Sequence, residues 1–351
     1  MFRFLLTLLA TGAFTWLLGV VLTAWVLLRP ARMTPARALA RLGFMTPGDL
    51  AISFEEQDLP ITDARTGRAM RLAAWWMPAP GGADSSVILI HGYADSRAGV
   101  MPWAAAFLRA GVNVLAIDLR AHGESEGAFT LAGLLEGDDV RQVVGLLRAQ
   151  RPDAARRLFL AGVSMGAAVA LAAADGLDEV AGVILDSPVA DFYRGAERQL
   201  WLMGLAGPVV LNPGLWLVEA WLGRRFNEIR PARLAARRKC PVLAILPGSD
   251  LFLTPEDAEA LSRAIERPTD GNGSATGDDP STVLPYPGTF HMQPIGFDPE
   301  GYTQALQRFC AACKSNGLAR APVSAGPPTA PAAEPASCNV EIDPPAVGRE
   351  L

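Results

Sequence analysis

Apolar positions fall along this chain in three patterns, and each predicts a different kind of structure. Residues 4–28 form an uncharged, mostly apolar run between Arg3 and Arg29. As a helix this run would be about 37 Å long, enough to cross a hydrocarbon core of about 30 Å. A cleaved signal peptide would have a shorter apolar region, of about 7–15 residues, with small residues at a nearby cleavage site. Here Ala38-Leu39-Ala40 has the small-residue form but lies well past the run, beyond Arg29, Arg32 and Arg37. The segment therefore reads as an uncleaved anchor over residues 1–30, followed by a juxtamembrane linker over 31–50.

From about residue 52 the pattern changes. Short β-like runs at 71–77 (RLAAWWM), 87–90 (VILI), 112–118 (VNVLAID), 158–163 (LFLAGV), 180–186 (VAGVILD), 241–246 (PVLAIL) and 282–286 (TVLPY) alternate with helix-period stretches at 102–110, 134–150 and 255–265. Several of the runs are continuously apolar, as strands buried on both faces of a parallel sheet are. Alternation of strand and helix predicts an α/β fold with a mostly parallel, doubly wound sheet over residues 51–316. The early run 54–61 pairs more naturally with RLAAWWM as an antiparallel hairpin or edge. Residues 267–281 (RPTDGNGSATGDDPS) read as a surface loop. Residues 317–351, rich in Ala and Pro and poor in aliphatic side chains, read as a disordered tail.

Composition adds two restrictions. Half of the 351 residues are apolar and the net charge is −5, with no basic cluster, so no nucleic-acid partner is expected. Charge flanking the apolar run favours the cytoplasmic side for the domain, since Arg29, Arg32, Arg37 and Arg41 follow it, against Arg3 and the amino terminus on its other side. Cys310 and Cys313 form a C-x-x-C pair with no second pair to complete a metal site. Positions i and i+3 on a terminal helix share a face, so core packing is the expected role.

The candidate chemistry centres on Gly162-Val163-Ser164-Met165-Gly166, a G-x-S-x-G motif between the strand LFLAGV and the helix-compatible AAVALAAA. That composition suits a sharp strand-to-helix turn presenting a serine hydroxyl. Such a hydroxyl needs a base. The chain has three histidines, and only His291 follows Ser164, as the order Ser–Asp/Glu–His of this motif requires. Asp250 is the preferred acid because it follows the strand PVLAIL and precedes a helix start; Asp186, one strand earlier, is the competitor. The amides of Met165 and of Tyr93, after VILI-His91-Gly92, are the expected oxyanion donors. His91 would shape its loop, and His122 would be a structural hydrogen-bonding residue.

Taken together, HGY, DLRAHGES, GVSMG, PGSD and GTFH, in that order, resemble the α/β-hydrolase superfamily, most closely its serine-aminopeptidase-like and prolyl-oligopeptidase-like branch, which includes membrane-anchored α/β-hydrolase-domain proteins. The resemblance covers roughly residues 50–312 and implies an α/β-hydrolase fold with Ser164 as nucleophile, His291 as base, Asp250 as acid, Tyr93 and Met165 as oxyanion donors, and no metal or organic cofactor. One departure is that Phe290 stands where the family often has glycine. The almost uncharged segment 200–223, broken by Pro208, Pro213 and Gly214, reads as two short capping helices within a cap at about 190–235. A second membrane span there would put Ser164 and His291 on opposite sides of the bilayer. The expected activity is hydrolysis of ester-type bonds in a small-molecule or lipid substrate by a single-pass membrane protein. The alternatives are an aminopeptidase-like peptidase and a non-catalytic membrane-anchored scaffold.

Overall fold

The computed structural model describes residues 1–202, 204, 207–266 and 280–315. The loop expected at 267–281 (apart from Pro280 and Ser281), the tail expected at 317–351 and Cys338 lie outside the described residues.

Eight strands form one sheet: β1 (Glu55–Thr62), β2 (Ala69–Met77), β3 (Ser85–Ile90), β4 (Asn113–Ile117), β5 (Arg157–Val163), β6 (Gly182–Asp186), β7 (Val242–Pro247) and β8 (Thr282–Tyr286). Their order across the sheet is β1-β2-β4-β3-β5-β6-β7-β8. The β1–β2 hairpin is antiparallel and β2 is antiparallel to β4; every other pairing is parallel. The expected hairpin edge and parallel core are both present. Side chains of β3 alternate between two apolar layers, Ile88 and Ile90 on one face and Val87 and Leu89 on the other. That two-sided burial is why VILI is apolar throughout instead of alternating.

The helices are α1 (Phe2–Leu28), α2 (Pro35–Leu42), α3 (Met101–Arg109), α4 (Glu136–Gln150), α5 (Met165–Ala174), α6 (Phe192–Leu202), α7 (Pro208–Leu222), α8 (Pro231–Ala235), α9 (Pro255–Glu266), α10 (Pro294–Phe297) and α11 (Pro299–Ser315). Residues of α3 and α11 build the core on one face of the sheet, and residues of α4, α5, α8 and α9 build it on the other. Cys310 and Cys313 are buried in the first of these layers, with Cys313 against Gly182 of β6.

Among the described residues, α1 is the one helix long and apolar enough to cross a membrane. Only its Val20 and Leu27 are buried. The segment 31–50 after it is packed. Thr34 caps α2 by accepting the Arg37 amide, Met33 and Ala38 sit in the apolar core, and Arg32 donates to the carbonyls of His122, Gly123, Ser125 and Gly127. These contacts fix the exit of α1 beside the loop that follows β4.

That loop carries DLRAHGES, and the structure explains its composition. Asp118 accepts the amides of Arg97 (2.6 Å) and Glu124 (2.9 Å), while the Ser125 hydroxyl donates to the Asp118 carbonyl and accepts the Ala73 amide. Arg120 is buried and forms a two-pronged pair with Asp139 of α4, at 2.6 and 2.5 Å, with Asp63 as a third partner. Removing one side of such a buried pair costs about 3–5 kcal/mol. The motif is thus a clamp tying β2, β4 and α4 together under the site.

Candidate active site

Ser164 sits between β5 and α5 with φ 58° and ψ −120°, outside the ordinary regions for an L-residue. The turn is tight enough that its glycines are obligatory. A Cβ on Gly162 would lie 2.0 Å from the Gly166 carbonyl oxygen, and one on Gly166 would lie 2.3 Å from the Ile90 oxygen. Ser164 is held by its amide, which donates to the Asp186 carbonyl at 2.9 Å. Its position at the N-terminus of α5, an apolar helix buried on nearly every side, adds the favourable end of the helix dipole.

The structure brings Ser164, His291 and Asp250 together. His291 Nε2 lies 2.8 Å from Ser164 Oγ, and Nδ1 lies 2.7 Å from Asp250 Oδ2. A carboxylate only accepts, so Nδ1 carries the proton and the Nε2 lone pair faces the serine hydroxyl. The Asp250 side chain is fully buried, and its other oxygen accepts the Phe252 amide at 2.7 Å. The Phe252 ring packs 4.6 Å from the imidazole, centroid to centroid.

Three bonds set the His291 loop. Ser249 donates its amide to the Thr289 carbonyl (2.9 Å), Phe290 donates to the Gln293 side chain (3.0 Å), and Met292 donates to the Ser187 hydroxyl (3.0 Å). Phe290 has an ordinary negative φ and is 58% exposed, so the loop accommodates it in place of glycine with its side chain in solvent.

Asp186, the competing acid, lies apart from the imidazole nitrogens. It accepts from Trp103 Nε1 and the Tyr302 hydroxyl, both at 2.7 Å, and from the Ser187 hydroxyl at 2.6 Å. Burial pushes its pKa up, and the three donors oppose that shift. Trp103, Tyr302 and Ser187 were not visible as site residues in the sequence.

Tyr93 and Met165 both line the cavity beside Ser164. Among the described residues, no protein acceptor takes either amide. His91 is buried and bridges its own loop to the next, Nδ1 donating to the Gly92 carbonyl (2.7 Å) and Nε2 accepting the Leu119 amide (3.0 Å). His122 donates to the Arg120 carbonyl at 2.9 Å. Burial lowers the pKa of His91 to about 4 and that of His122 to about 3, so both are neutral structural imidazoles.

A cavity of about 520 Å³ opens over Ser164 and His291, within the range of small-molecule sites. Its walls include Phe192, Ala196 and Leu202 of α6, Ile229, and Leu27 from the end of α1. Arg41 and Asp95 form a polar patch that sequence reasoning missed, and burial raises the Asp95 pKa to about 6. Among the described residues, no three His, Cys, Asp or Glu side chains gather as metal ligands.

Residues 81–234 match the family model described as serine aminopeptidase, S33. The esterase Pf2001 of Pyrococcus furiosus superposes with a TM-score of 0.60 at 25% identity, over 80% of this chain and 98% of that one. The chain has the fold of the α/β-hydrolase superfamily. Curated relatives include the uncharacterized protein YqkD of Bacillus subtilis, 30% identical over 52% of this chain and 61% of its own length. Another is the uncharacterized protein YfhR of Escherichia coli O157:H7, 27% identical over 56% of this chain and 65% of its own length. The chain therefore spans less than two thirds of the length of either relative. The family model ends in α8, short of β7 and β8. The Asp250 and His291 assignments therefore rest on geometry.

Proposed function

We propose that the chain is a membrane-anchored serine hydrolase that cleaves ester-type bonds through an acyl-enzyme. The observation that carries this reading is the chain of hydrogen bonds from Ser164 to His291 to Asp250, at 2.8 and 2.7 Å. His291 takes the Ser164 proton as the hydroxyl oxygen bonds to the substrate carbonyl carbon. The Tyr93 and Met165 amides receive the oxyanion. His291 then returns the proton to the leaving alcohol as the C–O bond breaks. Water, deprotonated by the same imidazole, attacks the acyl-serine, and the acid leaves as Ser164 regains its proton. Asp250 keeps the imidazole in the required tautomer and stabilises its charged form. The anchor is α1, with the arginines that follow it favouring the cytoplasmic side for the catalytic domain.

Ester-type cleavage is favoured over peptide cleavage by the apolar walls of the cavity. The S33 match and the Asp95 carboxylate, able to receive a substrate ammonium, favour the aminopeptidase reading instead. A panel of p-nitrophenyl esters of rising chain length, run beside aminoacyl p-nitroanilides, separates the two. Turnover of the esters at rates well above the anilides is expected. Anilide hydrolysis that dominates, and requires a free α-amino group, would reverse the assignment.

A further inference from the structure

The helix that reads as the membrane anchor does not stand apart from the hydrolase. It packs along α7. Trp16 Nε1 donates to the Val209 carbonyl at 3.2 Å, and Gly19 faces Val210. One turn on, Gly214 approaches Val20 and Ala24 so closely that a Cβ there would lie 3.0 Å from the Val20 oxygen. The two helices run side by side in the same direction, packed through small residues as helices in lipid do. At a rise of about 1.5 Å per residue, Trp16 lies about 18 Å before Leu28. If α1 leaves the hydrocarbon near Leu28, the start of α7 reaches roughly the middle of a core about 30 Å thick.

The surface of the cap fits that depth. Val209 is 72% exposed and Trp216 61%, and Trp201, Leu217 and Trp221 are also open to solvent. Polar side chains on α7 are confined to Asn212 and Glu219, and Glu219 is occupied as acceptor for the Phe226 amide. Both helices end in the same way. The Arg29 guanidinium lies 4.9 Å from the Trp25 ring, and the Arg65 guanidinium lies 3.7 Å from the Trp221 ring. Tryptophan paired with a cation is the side-chain chemistry of a membrane–water boundary. The cavity also reaches this surface. Leu202 lines it and is 54% exposed, and Leu27 at the end of α1 forms part of its wall, beside the Tyr93 hydroxyl that donates to the Leu27 carbonyl at 3.0 Å.

From this arrangement we infer that α7 is immersed in the leaflet nearest the catalytic domain, and that the substrate is a long-chain lipid ester that enters from this leaflet past Leu202. The inference rests on the proposed hydrolase and anchor. The acyl chain occupies the apolar wall between α6 and Leu27, and the reaction is the acyl transfer to Ser164 and then to water described above. A shorter, water-soluble ester needs no contact with α7.

The test uses the full chain in phosphatidylcholine vesicles with two substrates that share a leaving group, p-nitrophenyl palmitate dissolved in the bilayer and p-nitrophenyl acetate in water. The double variant Val209→Asp/Leu217→Asp is expected to lose at least ten-fold on palmitate, keep acetate turnover within two-fold, and remain in the membrane after carbonate washing. Unchanged palmitate turnover would overturn the inference. Wild-type protein released by carbonate would instead refute the anchor, and wild-type protein idle on both esters would refute the hydrolase reading. If the double variant also loses acetate turnover, a folding-independent measurement decides. With Cys240 and Cys338 changed to serine, bimane attached at Trp216→Cys should be quenched strongly by spin-labelled phosphatidylcholine and bimane at Arg263→Cys should not. Equal, weak quenching at both positions would overturn the inference.

Discussion

The Met292 amide donates to the Ser187 hydroxyl at 3.0 Å, and that hydroxyl donates in turn to Asp186 at 2.6 Å. Met292 and Ser187 both hold positive φ, 63° and 48°, so each is fixed in a conformation its side chain disfavours. The strut ends one residue from His291. It ties the base loop to the same strand end that receives the Ser164 amide, and so sets the imidazole and the serine relative to a common support.

Ser187→Ala should therefore act on positioning. It leaves the Met292 amide without its acceptor and removes one donor from buried Asp186, a loss of about 1–3 kcal/mol in stability. A shift of the imidazole by a fraction of an ångström should lower kcat about 10- to 100-fold with little change in KM. The measurement is steady-state kinetics on a short ester at a temperature where circular dichroism shows the variant fully folded. A normal kcat in folded protein would show that the strut only supports the fold.

Asp250→Asn tests the assignment of the acid. With its oxygen still accepting the Phe252 amide, the asparagine would turn its NH2 donor toward Nδ1 and hold the imidazole in the wrong tautomer, at a cost on the order of 10⁴ in kcat. Asp186→Asn should instead reduce thermal stability, since it disrupts the carboxyl that accepts from Trp103, Tyr302 and Ser187, and should cost much less activity per folded molecule. Comparing the two variants at equal folded fraction gives the answer; the reverse ranking would move the acid to the end of β6.

The strands were legible because each central one is buried on both faces, which leaves a continuous apolar run such as VILI that no amphipathic helix would show. Ser164 was legible for a related reason. The close approach of Gly166 to β3 and of Gly162 to α5 leaves room for no other residue, so the constraint is written as composition. The support of Asp186 was not legible, because Trp103 and Tyr302 lie 83 and 116 residues away and nothing local distinguishes them. The packing of α1 on α7 was equally hidden. Both segments announce themselves as apolar, but periodicity within one helix carries no information about its partner. Residues 31–50 read as a linker from their prolines, yet Pro35 and Pro47 each open a helical turn, a position where proline is favoured.

Acid should destabilise the protein through its buried imidazoles. An unfolded histidine titrates near 6.5, whereas burial lowers His91 to about 4 and His122 to about 3. Between those values the unfolded chain binds more protons, so stability is whole above about pH 6.5 and falls as the pH drops. At pH 5 each imidazole has withdrawn about 2 kcal/mol. Asp95 and Asp139, both raised to about 6 by burial, act in the opposite direction in the same window, so the wild-type curve alone does not isolate the histidines. The difference between wild type and His122→Asn does. Denaturant unfolding at pH 7 and pH 5 should show a smaller loss in the variant, by about 2 kcal/mol. Equal losses would mean that His122 is not held neutral by burial.

The central claim is that Ser164 is the nucleophile and that His291 alone activates it. Labelling of the full chain in membranes by a fluorophosphonate probe tests this most directly, because the probe bonds covalently to an activated serine and needs no knowledge of the substrate. Wild type should label stoichiometrically, Ser164→Ala should not label at all, and His291→Ala should label at a rate reduced by orders of magnitude. Stoichiometric labelling that survives in Ser164→Ala would contradict the account.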